Sequence, residues 1–385
     1  MWAGKGSSHE GQLPPTLPDA DTTINCEQNL RTKILFICGS INQTSQMHQI
    51  ARHLSDYDCR FTPYYADGFI ETLRRKDYLN FTVLGNKLAE RCLRYLEKHN
   101  LPLDLHGRTG NYDLVFTCSD LVIPSNISAS KLILVQEGMT DPENLMYRLV
   151  KTFNLPRYLA STATTGLSDQ YGYFCVASDG YQRLFSRKGV RPEKIRVTGI
   201  PNFDNCRQYL QNNFPHTGYV LVATSDMRET LKWENRKRFI KNCLTLADGK
   251  KLIFKLHPNE NVERATREIS RWAPEALVYP TGDINHMIAN CDVLVTRYSS
   301  VVYVGLALEK TVYSDFDLDQ LADMTPIQNG ANSARLIAEV GRRYIADLPV
   351  PKSYEELWNS SQSPTQLQSH EAEQLQSYFL LEEQR

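Results

Sequence analysis

The stretch that decides the fold is CDVLVTRYSSVVYVGLALEKTVYSDF, residues 291–316. It opens with CDVLVT, an apolar run typical of a buried strand, and closes on KTVYSDF, which begins another strand. The segment VVYVGLALE between them has a helical composition, so the stretch predicts a strand, a helix and a second, parallel strand. A polar turn, RYSS at residues 297–300, joins the first strand to the helix.

The same alternation of short apolar runs and helical segments extends along most of the chain. A first series of strand candidates comprises residues 33–40, 112–120, 131–139, 171–179 and 193–203. A second series comprises residues 219–226, 250–258 and 276–283, followed by the two runs quoted above. Continuous apolar runs separated by amphipathic segments predict parallel strands with helices on both faces. We therefore expect an α/β fold with two doubly wound parallel sheets that face a central cleft.

Composition at the two ends of the chain suggests the domain boundaries. Residues 1–30 are rich in Gly, Pro, Ser and Asp and lack the apolar run of a signal peptide, so we expect a disordered tail. We predict an N-terminal α/β domain at residues 31–205 and a C-terminal α/β domain at residues 206–350. A polar segment with a terminal helix is predicted at residues 351–385.

The overall composition argues against several classes of function. Hydrophobic residues make up 41% and charged residues 23% of the chain, and the formal net charge is −1, so a nucleic-acid partner is not favoured. The nine cysteines include no CxxC pair, which indicates reduced thiols without a metal site. No stretch reaches the ~18 apolar residues of a membrane span. We expect a cytoplasmic protein that is at most peripheral to a membrane.

The turn RYSS is the first candidate for binding chemistry, because ligands of open parallel sheets bind outside the carboxyl ends of the strands. Ser299 or Ser300 could cap the following helix, whose N–H groups and positive dipole end could also hold a phosphate. Arg297 adds a planar cationic fork suited to phosphate oxygens, and Tyr298 lies beside it. The alternative is that a serine only caps the helix while Arg297 points to solvent.

Two further candidates follow strands of the second series. His257, in FKLHP, could donate a hydrogen bond to a phosphate or transfer a proton, or it could be a turn histidine bonded to nearby backbone. Thr224, Ser225 and Arg228, in SDMRETLK, are predicted to lie at the opening of a helix. There they could contact a diphosphate or simply cap that helix.

In the first series, the turn GSINQT lies between a strand and a helix and lacks the GxGxxG spacing of a dinucleotide site. Gly39 allows close backbone approach, so contact of Gly39, Ser40 and Asn42 with an acceptor or a sugar is predicted, with a plain tight turn as the alternative.

Three carboxylates follow strand candidates of the first series and could serve as general acid and base: Asp120, Glu137 and Glu143. For Glu143 the alternative is a place in the first turn of a helix that starts at Pro142.

Together these features resemble the GT-B family of nucleotide-sugar enzymes. VTGIPNFD at residues 197–204 and HPNENV at residues 257–262 are similar to signatures of the UDP-N-acetylglucosamine 2-epimerases. KLHP followed by CDVLVTRYSSVVY resembles the branch of CDP-glycerol glycerophosphotransferases and capsule polysaccharide transferases. The resemblance covers residues 32–345 in architecture. Epimerases usually have an acidic, serine and double-glycine turn where this chain has RYSS, and an arginine-proline-glutamate turn where it has SINQ.

The resemblance implies that the nucleotide lies on the C-terminal domain and the acceptor on the N-terminal domain. His257, Arg297, Ser299 and Ser300 would stabilise a leaving diphosphate without a bound metal or any cofactor other than the nucleotide-sugar substrate. In the epimerase pattern Asp120 matches an acidic residue after a strand, Glu137 matches the glutamate that follows, and Glu143 is a looser match. Glu137 or Asp120 would then act as the base on an acceptor hydroxyl.

We therefore expect a metal-independent glycosyltransferase that moves a sugar from a nucleotide-activated donor, a UDP-sugar, to a cell-envelope or capsule glycan or a lipid-linked acceptor. It would work in the cytoplasm, at the inner face of the membrane. Two alternatives stay open. One is a 2-epimerase-like isomerase, and the other is a non-catalytic paralogue that binds nucleotide-sugars.

Overall fold

The computed structural model describes residues 32–76, 85–127, 130–225, 227–228, 234–297 and 299–362. The tail predicted at residues 1–30, the terminal helix predicted near the end of residues 351–385, and Tyr298 lie outside the described residues.

The first sheet contains six parallel strands in the order β2-β1-β3-β4-β5-β6. They are β1 Lys33–Cys38, β2 Asp58–Pro63, β3 Leu114–Thr117, β4 Lys131–Val135, β5 Tyr173–Val176 and β6 Ile195–Val197. Strands β1, β3 and β4 are buried along almost their whole length, which explains their continuous apolar runs. Strand β2 was not predicted, because it is an edge strand whose first three residues are half-buried and whose last is a proline.

The second sheet contains five parallel strands in the order β11-β10-β7-β8-β9. They are β7 Tyr219–Ala223, β8 Leu252–Lys255, β9 Leu277–Tyr279, β10 Cys291–Thr296 and β11 Thr311–Tyr313. Each apolar run that predicted a strand contains one, and the strand–helix–strand unit of residues 291–316 is confirmed.

Helices lie on the faces of both sheets. Those that follow strands of the first sheet are α1 Ile41–Ala51, α2 Gly68–Arg75, α3 Asn86–Lys98, α4 Leu145–Phe153 and α5 Asp179–Lys188. Those after the start of the second sheet are α6 Arg236–Ala247, α7 Val262–Trp272, α8 Ile284–Asn290, α9 Val301–Ala307, α10 Leu318–Met324, α11 Ser333–Ile345 and α12 Tyr354–Ser361. Short 3-10 helices occupy Leu105–Gly107, Ser125–Ile127, Arg157–Thr164, Pro192–Lys194 and Cys206–Leu210.

Each sheet has one topological switch point. In the first sheet the chain runs from β1 to β2 and then crosses to β3 on the other side of β1. In the second it runs from β7 through β8 to β9 and then crosses to β10 on the other side of β7. Helices that leave two neighbouring strands in opposite directions open a crevice there, which is where ligands bind in doubly wound sheets.

The chain returns to the first sheet after the second is complete. Helices α11 and α12 share a hydrophobic core with β1, β3 and α1. Asp204, on the outward crossing, accepts a hydrogen bond from the backbone N–H of Ser333, on the return crossing, at 2.9 Å. Burial raises the pKa of Asp204. The predicted boundaries at residues 205 and 350 stay predictions, but α11 packs on the first sheet although it follows the second in sequence.

Candidate functional site

The carboxyl edge of the first sheet holds Glu137 between two donors from the turn after β1. The hydroxyl of Ser40 donates to Glu137 Oε1 at 2.5 Å, and the side-chain amide of Gln43 donates to Glu137 Oε2 at 2.6 Å. Ser40 is also the N-cap of α1, where its Oγ accepts from the backbone N–H of Gln43 at 3.2 Å. Glu137 is half-buried, so the residue keeps partial contact with solvent.

Gly39 leaves space in this turn for the Gln43 side chain. A Cβ atom there would lie 2.0 Å from the Gln43 side-chain oxygen, so any larger residue would displace the side chain that contacts Glu137. Contact of Gly39 with an acceptor or a sugar stays a prediction; the close neighbour in the structure is the Gln43 side chain. Asn42 is exposed in the first turn of α1, and its backbone carbonyl accepts from Asn202 Nδ2 at 2.9 Å.

Asp120 lies after β3 with a fully buried side chain. Its carboxylate accepts hydrogen bonds from the backbone N–H groups of Gly166 and Ser168, both at 3.0 Å, and from Arg157 Nη1 at 3.1 Å. A buried charge with these partners is satisfied, so Asp120 anchors the segment that follows α4. As placed, it does not present an oxygen to an acceptor.

Glu143 lies apart from the other two carboxylates, on a cleft of about 350 Å³ between the loop after β4, α5 and α10. It precedes the helix N-cap Asn144, so it does not belong to the first helical turn. Arg187 and Lys188 line the same cleft. Burial lowers the pKa of Lys188, whose ammonium group donates to the carbonyl of Ala163 at 2.9 Å.

The carboxyl edge of the second sheet brings Thr224 and His257 together through Glu260. The backbone N–H of His257 donates to Thr224 Oγ1 at 3.0 Å and to Glu260 Oε2 at 3.1 Å. The Thr224 hydroxyl also donates to Glu260. His257 Nδ1 accepts from the backbone N–H of Asn259 at 3.2 Å, as expected of a turn histidine, and its ring is half-buried.

A network of carboxylates and arginines continues from Glu260. Arg236 donates to Glu260 Oε1 at 2.6 Å and lies 3.4 Å from Glu234 Oε2. The side chains of Arg236, Glu234 and Glu260 are at least 95% buried. Arg228 pairs with Glu268 at 2.7 Å and lies 3.6 Å from Glu234. The hydrogen bond from Arg228 lowers the pKa of Glu268.

The prediction that Thr224, Ser225 and Arg228 open a helix is wrong. Helix α6 begins only at Arg236, and its N-cap is Asn235, whose side chain accepts from the backbone N–H of Arg238. Arg228 is drawn instead into the carboxylate network, which supplies stronger partners than a helix end.

Arg297 follows β10 and belongs to the same network. Its Nε donates to Asp315 Oδ2 at 2.6 Å, and its Nη1 lies 3.8 Å from Glu234 Oε1. Arg297 therefore does not point to solvent, because its guanidinium is paired with the Asp315 carboxylate and lies near Glu234. In the described part of the chain, four carboxylates (Glu234, Glu260, Glu268 and Asp315) face three guanidinium groups in this network (Arg228, Arg236 and Arg297).

The two serines of the turn begin α9 without firm caps. Ser300 is the N-cap, but among the described residues its side chain accepts no capping hydrogen bond. Ser299 Oγ lies 3.5 Å from the backbone N–H of Val301, at the limit of a hydrogen bond. Both side chains are half-buried and lie at the switch point of the second sheet.

Four buried polar atoms near this switch point have no hydrogen-bond partner in the part of the chain that the structure describes. They are Ser225 Oγ, Thr296 Oγ1, Glu234 Oε1 and Arg236 Nε. Ser225 follows β7 and Thr296 ends β10, and these are the two strands that flank the switch point. Buried polar atoms are normally paired, so such a group indicates a place where a ligand or water could donate or accept.

Sequence reasoning missed five side chains that form hydrogen bonds or ion pairs within one edge or the other: Gln43, Glu234, Arg236, Glu260 and Asp315. Glu260 and Asp315 stand in the quoted segments HPNENV and KTVYSDF, and a carboxylate just after a strand is the signal that could have identified them. Gln43, Glu234 and Arg236 become partners only through the fold. Among residues with described placement, no group of three His, Cys, Asp or Glu side chains is arranged to hold a metal ion.

Similarity searches identify the fold. The structure of a putative UDP-N-acetylglucosamine 2-epimerase from Listeria monocytogenes matches with a TM-score of 0.53 and 13% identity, over 84% of this chain and 99% of that one. MnaA of S. aureus, solved with UDP, matches with a TM-score of 0.51 and 11% identity over the same shares. The wall teichoic acid polymerase TagF matches with a TM-score of 0.44, too low to carry an argument.

No protein-family model and no curated protein sequence matches the chain. The likeness to solved structures therefore shows the fold alone. The chain has a GT-B-like fold of two parallel-sheet α/β domains, as the sequence predicted.

Proposed function

We propose that the protein is a glycosyltransferase that moves a sugar from a nucleotide-activated donor to an acceptor hydroxyl. The observation that carries the proposal is the Glu137 carboxylate, which is partly accessible at the carboxyl edge of the first sheet and fixed by Ser40 and Gln43. A fixed, accessible carboxylate at this edge is what a general base needs.

The proposed reaction gives each edge one task. Glu137 takes the proton of the acceptor hydroxyl while that oxygen attacks the anomeric carbon of the sugar. The bond from this carbon to the diphosphate breaks, and the diphosphate leaves with the electron pair. Asp120 has no direct part in this scheme, because its buried carboxylate already holds three donors.

The leaving diphosphate is assigned to the switch point of the second sheet. Ser299 and Ser300 stand at the start of α9, and the hydroxyls of Ser225 and Thr296 lack partners among the described residues. Arg297 would contribute by exchanging Asp315 for a phosphate oxygen. His257 lies just after β8, the strand beside β7, and would contact the nucleotide from that side.

An isomerase of the 2-epimerase type is the closest alternative. The same Glu137 carboxylate could remove the proton from C2 of the sugar while UDP leaves C1, which gives a C1–C2 double bond. UDP would then add back to C1 while a proton is delivered to the opposite face of C2. Two solved structures that match with TM-scores above 0.5 are a putative 2-epimerase and MnaA with UDP, at 13% and 11% identity.

A non-catalytic nucleotide-sugar-binding protein is favoured by the second edge. Four carboxylates pair with the three arginines of this network in the described residues, so these arginines are already engaged. Under this alternative Arg297 stays with Asp315 and turnover is absent.

The experiment is proton and phosphorus NMR of the purified full chain with UDP-, CDP-, GDP- and dTDP-sugars and no acceptor. Slow release of nucleoside diphosphate from one sugar, without an isomer, is expected and names the donor. Conversion of UDP-N-acetylglucosamine to its 2-epimer would establish the isomerase instead. Saturable binding without release or isomer, even after glycan and lipid-linked acceptors are added, would establish the binding protein.

A further inference from the structure

Exposed apolar side chains are concentrated on one segment, from the start of α4 to the middle of the following 3-10 helix. Leu145 is 72% and Phe153 is 66% exposed. Four more large apolar side chains of this segment are each at least 36% exposed: Met146, Leu155, Tyr158 and Leu159. The remaining exposed large apolar side chains of the described residues are scattered between Ile41 and Tyr313.

Helix α4 is apolar on two faces. Tyr147 and Val150 are buried and pack on the segment after the helix. Leu145, half-buried Leu149 and Phe153 are spaced by four residues, so they align on another face. A surface helix that only covered a core would carry polar residues on its outer face. The outer face of α4 is therefore apolar without a contribution to the core.

The charges of the segment have one sign. Residues 144–168 contain Arg148, Lys151 and Arg157 and no acidic residue, although the whole chain has a formal net charge of −1. Arg157 is paired with Asp120, so Arg148 and Lys151 supply the positive charge of this surface. Arg148 is exposed, and the Lys151 ammonium reaches the carbonyl of Lys188 at 3.0 Å. Acidic residues border the segment at both ends: Asp141 and Glu143 precede the helix and lie on the cleft, and Asp169 follows the segment and pairs with Arg191 and Lys194.

We propose that residues 144–159, the apolar patch, dock onto the surface of an anionic lipid bilayer. Interfacial membrane elements combine apolar side chains that enter the acyl boundary with basic side chains that meet the anionic headgroups. A second copy of the chain fits less well, because a twofold contact would bring two positively charged patches together. No described helix is long and apolar enough to cross a bilayer, so docking would occur at the surface.

The fold connects the apolar patch to the candidate site. Arg157 pairs with Asp120 at the carboxyl edge of the first sheet, and Lys188, which contacts α4, lines the 350 Å³ cleft. A docked bilayer would lie beside the edge that carries Glu137. If the proposed transferase function holds, this places a lipid-linked acceptor within reach of that edge; the docking itself does not depend on the function.

The test is flotation of the full chain with vesicles of phosphatidylcholine alone and of phosphatidylcholine mixed with phosphatidylglycerol. The chain is expected to float with the anionic vesicles and to be released as salt is raised. The double substitution Leu145→Ser with Phe153→Ser should lower the partition coefficient at least about tenfold. The matched control, Leu210→Ser with Leu244→Ser, alters exposed leucines elsewhere and should leave partition unchanged.

Charge is tested separately from apolar area. Arg148→Glu should lower partition into anionic vesicles about tenfold, whereas Arg238→Glu, on the exposed side of α6, should not. Equal losses in both variants would overturn the proposal, because binding would then be non-specific. Urea unfolding midpoints equal to that of the parent chain confirm that each variant folds.

Two further outcomes would overturn it. One is no flotation with anionic vesicles at low salt. The other is a dimer, measured by light scattering during gel filtration, that becomes a monomer on Leu145→Ser with Phe153→Ser. In that case the apolar patch would be an interface between two copies. Either result leaves the NMR test of the proposed function intact, because that test uses no bilayer.

Discussion

The carboxyl edges of the two sheets occupy equivalent places in their domains but are built differently. At the first edge, a single half-buried carboxylate, Glu137, is held by two neutral donors. At the second edge, Glu234, Glu260 and Arg236 are almost fully buried and pair with one another. At the first edge the carboxylate is held by uncharged groups, whereas at the second edge the charged groups pair with one another.

This difference suggests which edge performs chemistry and which supports structure. Neutral donors can fix a carboxylate without taking it out of reach, because hydroxyl and amide groups satisfy single lone pairs. Removal of one member of a buried charge network destabilises the fold strongly, because the remaining charges stay unpaired in a medium of low dielectric constant. Substitutions at the first edge should therefore change turnover, and substitutions inside the second should change stability.

The largest effect is expected from Glu137→Gln. Loss of a general base should lower kcat by about 10² to 10⁴ while nucleotide-sugar affinity stays within about twofold, because the amide keeps the size of the side chain. Turnover with the donor identified by NMR and calorimetric titration of the same donor are the measurements.

The control is Glu193→Gln, which removes an exposed carboxylate that precedes β6. It should leave both quantities unchanged. If Glu137→Gln keeps full turnover, the first edge is not the reactive one and the comparison fails there.

The second edge is tested by Arg236→Met. Removal of the guanidinium leaves Glu234 and Glu260 buried without their nearest cation, which should lower the free energy of unfolding by about 3–5 kcal/mol. Urea denaturation followed by circular dichroism measures it. Arg238→Met, two residues along the same helix but exposed, should change stability by less than about 0.5 kcal/mol. Equal losses in the two variants would show that the network does not hold the second edge.

A smaller effect distinguishes the two roles of Ser40, which positions Glu137 and caps α1. Ser40 and Ser353 are both N-caps whose Oγ accepts a backbone N–H at 3.2 Å. Ser40→Ala and Ser353→Ala should each cost about 1 kcal/mol of stability. Only Ser40→Ala should also lower kcat, about tenfold, because it removes one of the two donors to Glu137. A matching loss of kcat in Ser353→Ala would attribute the effect to stability.

The fold could be predicted from sequence because its signal is local and repeated. Buried parallel strands read as continuous apolar runs, and ten of them were found by this pattern alone. Strand β2 was not predicted because an edge strand is half-exposed, which interrupts the apolar pattern, and because Pro63 suggests a turn. The start of α6 was misplaced because the sequence before Asn235 has helical composition, and no local signal shows that Arg228 prefers distant carboxylates.

The candidate site was predicted only in outline. Residues after strands were found, since the carboxyl ends of parallel strands share one edge. Their partners were not, because pairs such as Ser40 with Glu137 are 97 residues apart in sequence. Burial distinguishes the two carboxylates that look alike in sequence: the side chain of Asp120 is fully buried, and Glu137 is half-buried.

The smallest effect is expected in the pH dependence of stability at Glu268, which pairs with Arg228 outside the buried part of the second edge. Arg228 lowers the pKa of this carboxyl below its ordinary value of 4.5. A carboxyl with a lower pKa in the folded state stabilises the fold above its unfolded pKa and loses that contribution as pH falls through the folded value. The stability advantage of the parent chain over Glu268→Gln should therefore be constant, about 1 kcal/mol, at neutral pH and shrink below pH 4.5.

Urea midpoints measured from pH 7 down to about pH 3 test this, with Glu275→Gln as the control because Glu275 is exposed in a turn before β9. Its stability difference from the parent chain should stay near zero throughout. A difference for Glu268→Gln that grows as pH falls would have the wrong sign, and Arg228 could then not be the group that stabilises the ionised Glu268. In that case the buried residues Glu234, Arg236 and Glu260 would stabilise the second edge, and the Arg228–Glu268 pair would not.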